Sequence, residues 1–166
     1  MSTLTVQTLQ APTSGANANK VLVGSGHTLH AAGHVIQVVT FTKNDQSIIT
    51  STSAVDTGLS VSITPKFNTS KIFISLGTLG ICYQTNYVYH NLLRGSTVIH
   101  GNNSYNNNTY WMPINFAISH LDSPATTSAI TYKTQAYVSN AGDLRFNYNA
   151  SGTTHTASIT AMEIAQ

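Results

Sequence analysis

Charged residues are scarce in this sequence. Asp, Glu, Lys and Arg make up 7% of its 166 residues, and the formal net charge is +2. Neither a basic groove nor an acidic tail is available to steer a charged polymer, so the composition argues against nucleic-acid binding. Ser, Thr and Asn supply the polar surface instead, which suits rigid extracellular or virion β proteins.

Cysteines and long apolar runs are also lacking. The single cysteine, Cys82, excludes an intrachain disulfide and is expected to fill apolar space. No apolar run approaches the ~18 residues of a membrane-spanning helix, and the N-terminus has neither the basic nor the apolar part of a signal peptide. We therefore expect no membrane insertion and no signal sequence.

A helical period is missing as well. From Val35 onward apolar and polar residues alternate as in strands, most cleanly in GLSVSITP at 58–65. Residues 35–41 are apolar in both alternating positions, which predicts a strand covered on both faces. AsnAlaGlyAsp at 140–143 predicts a tight hairpin. About nine or ten strands predict an all-β domain over 35–166, an antiparallel β-sandwich or jelly roll.

Residues 1–34 differ from the rest, because they are rich in small polar residues and end near Gly33, the expected hinge. Two short apolar pieces in this leader cannot bury themselves, so we expect them to dock on a partner protein. The alternative is that they add edge strands to their own domain. The predicted docking residues are Leu4, Val6, Leu9, Val21 and Val23.

The sequence offers little catalytic chemistry. Its five carboxylates are Asp45, Asp56, Asp122, Asp143 and Glu163, and four of them stand in turn-like sequence, where an aspartate serves the turn itself. Two carboxylates would suffice for a glycosidase, yet none of these positions singles itself out. No nucleophile elbow is present either. The sequence therefore predicts a protein that is not an enzyme.

Three of the seven histidines, His27, His30 and His34, lie close together in the leader. In a trimer, one histidine near the threefold axis would be presented three times and could complete a metal site. Packing of these imidazoles along the tether is the alternative that the glycine-rich context favours. We expect no metal and no cofactor.

The segment from 102 to 111 is the best candidate for ligand binding. Its aromatic rings can stack on sugars while its many amides offer paired donors and acceptors. The predicted receptor contacts are Asn102, Tyr105, Asn106, Tyr110 and Trp111. Alternatively, Tyr110 and Trp111 begin the next strand and point into the core.

A second aromatic pair predicts contact between subunits. Tyr87 and Tyr89 stand on one face of their strand, with Val88 and Leu92 on the other, so both faces need cover. A sandwich strand that also lines a subunit contact would provide it. Tyr87 and Tyr89 are therefore the predicted interface residues.

Four segments carry a resemblance to known proteins: STLTVQTLQAPTSGANANKVLV at 2–23, GHTLHAAGHVIQVV at 26–39, FNTSKIFIS at 67–75 and SITAMEIAQ at 158–166. In these the chain resembles virion appendage proteins of tailed bacteriophages, particularly the fibre proteins of marine phages. The resemblance implies a short leader that binds the virion and a trimeric β head of the tumour-necrosis-factor and C1q kind, hence a homotrimer.

The expected function is that of a non-enzymatic virion protein. The leader would attach a fibre-type appendage to a tail, portal-proximal or capsid protein, and the head would contact a bacterial surface glycan or protein. One alternative is a capsid decoration or tail adaptor protein that binds only other virion proteins. Another is a free carbohydrate-binding module, and a depolymerising enzyme comes last.

Overall fold

The computed structural model describes residues 13–15, 24–25, 28–29, 31–84, 86–140, 142–148 and 155–166. Contacts divide the chain into two units, Met1–His30 and Ala31–Gln166, and all that follows concerns the second. The predicted docking residues Leu4, Val6, Leu9, Val21 and Val23, together with His27 and His30, lie outside the described residues.

Regular structure in the described residues consists of ten strands. They are β1 (Val35–Lys43), β2 (Ser47–Ile49), β3 (Val55–Ile63), β4 (Lys71–Tyr83), β5 (Asn86–Arg94), β6 (Thr97–Asn106), β7 (Met112–Asp122), β8 (Ile130–Val138), β9 (Asp143–Phe146) and β10 (Ala157–Ile164). This part of the chain contains no helix that is long and apolar enough to cross a membrane.

The strands form two antiparallel sheets. Sheet A has the order β1-β10-β4-β9-β2, with β7 also paired to β4, and sheet B has the order β3-β8-β5-β6. Without the short β2 and β9, the layers are β1-β10-β4-β7 and β3-β8-β5-β6, the arrangement of an eight-stranded jelly roll. The predicted all-β antiparallel sandwich is therefore confirmed.

The turn at 140–143 does not form the predicted hairpin. β8 lies in sheet B, whereas β9 lies in sheet A and pairs there with β2 and β4. The buried Asn86 holds this crossing between layers, because its Oδ1 accepts the Asn140 N–H at 3.0 Å and the Ser139 hydroxyl at 2.9 Å. Turn-like sequence at these positions therefore does not determine which strand β9 pairs with.

Strand register defines the two ends of the sandwich. Val35 at the start of β1 pairs with Ile164 at the end of β10, and we call this end, where the chain enters and leaves the sandwich, the proximal end. Cys82 near the end of β4 pairs with Met112 at the start of β7, and this opposite end is the distal end.

Gly33, the expected hinge, has a φ of +81°, in the left-handed region that favours glycine. Its N–H donates to the Ala165 carbonyl at 2.8 Å, and the Ala165 N–H donates to the His34 carbonyl at 2.9 Å. The backbone is thus already joined to the C-terminal end of the sandwich at Gly33, before β1 begins.

Apolar side chains from both sheets fill the space between the layers. The alternation predicted for 58–65 is present, with Leu59, Val61 and Ile63 all buried. Cys82 is also buried, and burial raises the pKa of its thiol. It belongs to the distal core cluster, which comprises Ile49, Cys82, Val88, Ile114, Phe116, Ala136, Val138, Leu144 and Phe146.

β1 departs from the sequence prediction of a strand covered on both faces. It is an edge of sheet A, paired with β10, and Val35, Val38 and Phe41 are exposed in the single chain. An apolar pattern on both faces shows that a strand needs cover and does not say whether the cover comes from its own chain.

Candidate functional site

The predicted receptor segment divides between a strand and a loop. β6 runs to Asn106, so Asn102 and Tyr105 are strand residues, and the loop itself spans 107–111. Tyr105, Tyr110 and Trp111 are 51%, 73% and 39% exposed, so neither Tyr110 nor Trp111 enters the core. Asn102 is exposed but pairs with His90, which places it on the opposite face of β6 from Tyr105.

Asn106 has a structural role in place of the predicted receptor contact. It is 2% exposed, and its Nδ2 donates to the carbonyls of Cys82 at 3.0 Å and Tyr110 at 3.3 Å. Its Oδ1 accepts the Asn108 N–H at 2.9 Å. Asn106 therefore fixes the loop that presents Tyr110.

Trp111 lies in an exposed cluster at the distal end of sheet A. Its ring centroid is 5.1 Å from that of Tyr83 and 6.0 Å from that of Tyr148. The Arg145 guanidinium carbon lies 4.7 Å from the Trp111 centroid and 5.1 Å from that of Tyr148, and Asp143 pairs with the same guanidinium. This cation–π arrangement holds the indole in place.

Four tyrosines form a continuous ladder on the outward face of sheet B. Tyr87 and Tyr105 have centroids 4.4 Å apart, as do Tyr89 and Tyr137, and 6.3 Å separates Tyr87 from Tyr89. Within one chain the ladder covers the predicted interface residue Tyr89 in part, whereas Tyr87 remains 46% exposed. Alternation within β5 predicts that these two share a face, but the other two rings join them only through strand register.

Uncharged amides flank the tyrosine ladder, and the Lys133–Asp56 ion pair lies beside one of them, Gln135. Asn103 pairs with Tyr89 across β5 and β6, and Asn91 pairs with Gln135 across β5 and β8, all on the outward face. Such a surface combines rigid amphipathic rings with adaptable hydrogen-bonding groups. It is suited chemically to a neutral glycan or to an uncharged protein surface.

An apolar row crosses the outward face of sheet A. Val38 pairs with Met162, Met162 with Phe73, and Phe73 with Leu121, so four side chains line up across four strands. Val38 is 55% exposed and Leu121 49%. We call these four residues the apolar row.

The row next to it is polar and carries no charge. It runs Thr40, Thr160, Ser75, Ser119 across the same four strands. The hydroxyls of Thr40 and Thr160 lie 3.0 Å apart. A partner placed on these two rows would bury apolar side chains and hydroxyls without desolvating a charge.

Asp122 ties the two sheets together, instead of serving a turn as its sequence context suggested. It is buried at the end of β7, and both its oxygens accept the Arg94 guanidinium at 2.9 Å. The Tyr132 hydroxyl donates to Oδ2 at 2.7 Å. Burial, followed by this hydrogen bond, raises the pKa of the Tyr132 hydroxyl.

Glu163 is buried in β10 and is satisfied by three donors. Oε1 accepts the N–H groups of Lys66 at 2.7 Å and Phe67 at 3.2 Å, and Oε2 accepts the Gln37 amide at 2.6 Å. Burial by itself would raise the pKa of this carboxyl, but the hydrogen bonds from Gln37 and the two backbone groups outweigh it and lower the pKa.

The other three carboxylates are also engaged. Asp45 pairs with Lys43, Asp143 with Arg145, and Asp56 accepts from both Lys133 and Gln135. Each of the five therefore has a structural partner of its own.

Comparisons with known proteins place the chain in no family. No protein-family model matches it, and no curated protein matches its sequence. Solved structures of infectious bursal disease virus are similar to it at low identity and low TM-score.

Three of these structures illustrate the likeness. A Gx-strain structure is 14% identical with a TM-score of 0.43, covering 86% of this chain and 41% of that one. The VP2 subviral particle is 16% identical with a TM-score of 0.34, and the match covers 93% of this chain and 40% of that one. The T13 viral particle is 11% identical with a TM-score of 0.37, and the match covers 87% of this chain and 39% of that one. This chain thus spans about two fifths of their length. At TM-scores below 0.5 the likeness carries no argument about function.

The described residues contain no group of three or more His, Cys, Asp or Glu side chains that could hold a metal ion. His34, one of the three leader histidines considered as ligands, is exposed. The features that the structure brings together are therefore surfaces: the apolar row on sheet A, the tyrosine ladder on sheet B, and the aromatic loop at the distal end.

Proposed function

We propose that the protein is a non-enzymatic structural component of a virion, a trimeric fibre-type appendage of a tailed phage. Residues 1–34 would dock on a tail, portal-proximal or capsid protein, and the β head would contact the host surface. The virion role and the docking leader rest on the resemblance of segments 2–23, 26–39, 67–75 and 158–166 to phage appendage proteins.

The outward face of sheet A is the observation that carries the proposal. A monomer would leave the apolar row in water, although monomeric soluble proteins rarely expose contiguous apolar patches. Further copies of the chain would cover this row and would also supply the cover that the apolar edge strand β1 calls for. The flanking hydroxyl row adds no charge to be desolvated.

Threefold symmetry is what the resemblance to phage fibre proteins implies, since the apolar row alone is compatible with other closed arrangements. Closed cyclic symmetry would bury the row in every subunit without leaving a free copy of it. Three leaders and three heads would then act together, so individually weak contacts could hold the particle and the host.

Host contact belongs on surfaces that subunit packing through sheet A leaves free. Tyr105 and the tyrosine ladder face outward on sheet B, and Tyr110 projects from the distal loop, away from the end where the chain enters. Their neutral, amide-rich surroundings favour an uncharged glycan or protein over a charged polymer.

Oligomeric state tests the packing. The full-length protein should sediment as a trimer, and Phe73→Lys should sediment as a monomer, because three unpaired ammonium groups would be buried. Tyr89→Lys, a matched change on the outward face of sheet B, should remain trimeric. A monomeric wild type would refute the trimer. If Tyr89→Lys dissociates the trimer and Phe73→Lys does not, the subunit interface lies at the predicted Tyr87 and Tyr89.

Cell binding tests the distal surface. Labelled full-length protein should bind host cells, and Tyr105→Ala with Tyr110→Ala should reduce binding at least about tenfold, because trimeric presentation multiplies each loss. Ser96→Ala, at an exposed turn of the proximal end, is the control and should bind normally. Absence of binding by the wild type would favour the alternative, a decoration or adaptor protein that binds only virion proteins.

A further inference from the structure

His90 is buried in the middle of the sandwich without a polar partner. It is 1% exposed on β5, and its ring centroid lies 4.8 Å from that of Phe116 and 5.4 Å from that of Phe146. Within the described part of the chain, neither ring nitrogen has a hydrogen-bond partner. Most buried polar groups are paired, so this imidazole needs an explanation.

A small, partly open cavity adjoins the His90 ring. Its walls come from both sheets and comprise Lys43, Thr57, Leu59, Thr78, His90, Thr134, Phe146, Asn147 and Ala157. Two of its threonines, Thr57 and Thr134, bond to each other through their hydroxyls. The side-chain oxygen of Asn147 is buried and, like His90, lacks a partner among the described residues.

Burial opposes a protonated His90. Among the described residues of the wall, Lys43 from β1 is the charged one, and its ammonium pairs with Asp45. The strands β3, β4 and β8 present threonines to the cavity, while β7 and β9 present Phe116 and Phe146 to the ring. An imidazolium at His90 would therefore lose its hydration, and the described residues of the wall include no carboxylate to receive it.

The short strand β9 contributes Phe146 to the cavity wall beside His90, and the short strand β2 pairs with β9. β9 has four residues and β2 has three, and Leu144, Phe146 and Ile49 anchor them in that cluster. Asn147 ties the end of β9 to the β1–β2 turn, because its Nδ2 donates to the carbonyls of Lys43 at 3.0 Å and Asp45 at 3.3 Å.

We propose that protonation of His90 opens the distal half of the sandwich in acid. Protonation displaces β9 and β2 and opens the distal core cluster while the proximal half stays folded, and we call this change the release. The aromatic rings packed on His90 favour the closed state while the imidazole is neutral, and its nitrogens have no described partner that would stabilise a positive charge. The release concerns conformation, so it stands apart from the proposed virion role and its tests.

The direction of the pH effect follows from the burial. Burial lowers the pKa of His90 from 6.5 to about 4 in the closed protein. The opened state binds a proton at the ordinary value of about 6.5, so opening becomes easier as the pH falls from about 6.5 to 4. This difference corresponds to an increase of up to about 300-fold in the opening equilibrium constant.

Cys82 gives a direct measurement of opening. It is the single cysteine of the chain and lies fully buried in the distal core cluster. Full-length protein would be treated with 4,4′-dithiodipyridine, which reacts with thiols in acid as well as at neutral pH. Each rate would be divided by that of the denatured protein at the same pH, and the circular dichroism of the sheets would be followed in parallel.

The relative rate should rise about 100-fold or more between pH 7 and pH 4 with the sheet signal largely retained. His90→Gln should give a flat profile, whereas His34→Gln, at an exposed histidine, should follow the wild type. A flat wild-type profile, or a rise that persists in His90→Gln, would overturn the release. Loss of the whole circular dichroism signal of the sheets together with Cys82 protection would also overturn the release.

If His90→Gln does not fold, an NMR titration of the His90 ring in the wild-type protein replaces it. Ring protonation should coincide with the rise in Cys82 reactivity. Protonation of His90 while Cys82 remains protected would contradict the proposal.

Discussion

Replacing Asp122 with alanine is expected to lower the free energy of unfolding by about 3 kcal/mol. The substitution removes the acceptor of both the Arg94 guanidinium and the Tyr132 hydroxyl, and the hydroxyl is buried with no other hydrogen bond in the described structure. The lower end of the range for breaking a buried ion pair applies, because the Arg94 side chain is 33% exposed and regains some water.

The measurement is chemical denaturation at one fixed protein concentration, since any oligomer makes apparent stability depend on concentration. Tyr132→Phe removes one hydrogen bond from the same group and should cost about 1 kcal/mol. Asp56→Ala breaks a pair that is largely exposed and should cost less than about 1 kcal/mol. Equal losses from Asp122→Ala and Asp56→Ala would show that the link between the sheets does not stabilise the fold.

Alternation in the sequence predicted most strands because side-chain direction has a period of two in any strand. Residues 58–65 show this, since one face packs on the core and the other meets water. Pairing partners were not predictable in the same way. The turn at 140–143 has hairpin chemistry, yet the chain crosses there to the other sheet, because buried Asn86 holds it by bonds that no local pattern contains.

The candidate surface was predicted only in part for a similar reason. Exposure of Tyr105, Tyr110 and Trp111 agrees with a contact role. Asn106 is instead buried, and its amide donates hydrogen bonds to the carbonyls of Cys82 and Tyr110. An asparagine in a polar segment looks the same in sequence whether it faces a ligand or fixes a loop. Only the approach of β4, distant in the chain, decides between the two.

The buried groups were the least predictable. His90 lies in a strand whose alternation correctly places it inward, but its lack of a partner depends on six other elements that meet around one cavity. Asp122 and Glu163 likewise acquire their roles from donors contributed by other strands and loops. Composition and spacing indicate where a polar residue lies along a strand, and they do not indicate what it meets there.

Glu163→Gln is expected to lower the free energy of unfolding by about 2–3 kcal/mol. Both oxygens of Glu163 accept hydrogen bonds, so an amide NH₂ in either position would face a donor from Gln37, Lys66 or Phe67. The loss would fall at the proximal end, where β10 meets β1 and the β3–β4 connection. Gln37→Leu removes the amide that donates to Glu163 and to the exposed Thr64 carbonyl but leaves the two backbone bonds, so it should cost about 1–2 kcal/mol.

The pH dependence distinguishes this carboxyl from other sources of stability. Its pKa is lower in the folded protein than the ordinary value of about 4.3, so its contribution is complete above that pH and is lost as the pH falls through the lowered pKa. Urea denaturation between pH 5 and pH 2 should show wild-type stability approaching that of Glu163→Gln in acid. A constant difference between the two proteins across this range would mean that charge on Glu163 does not stabilise the fold.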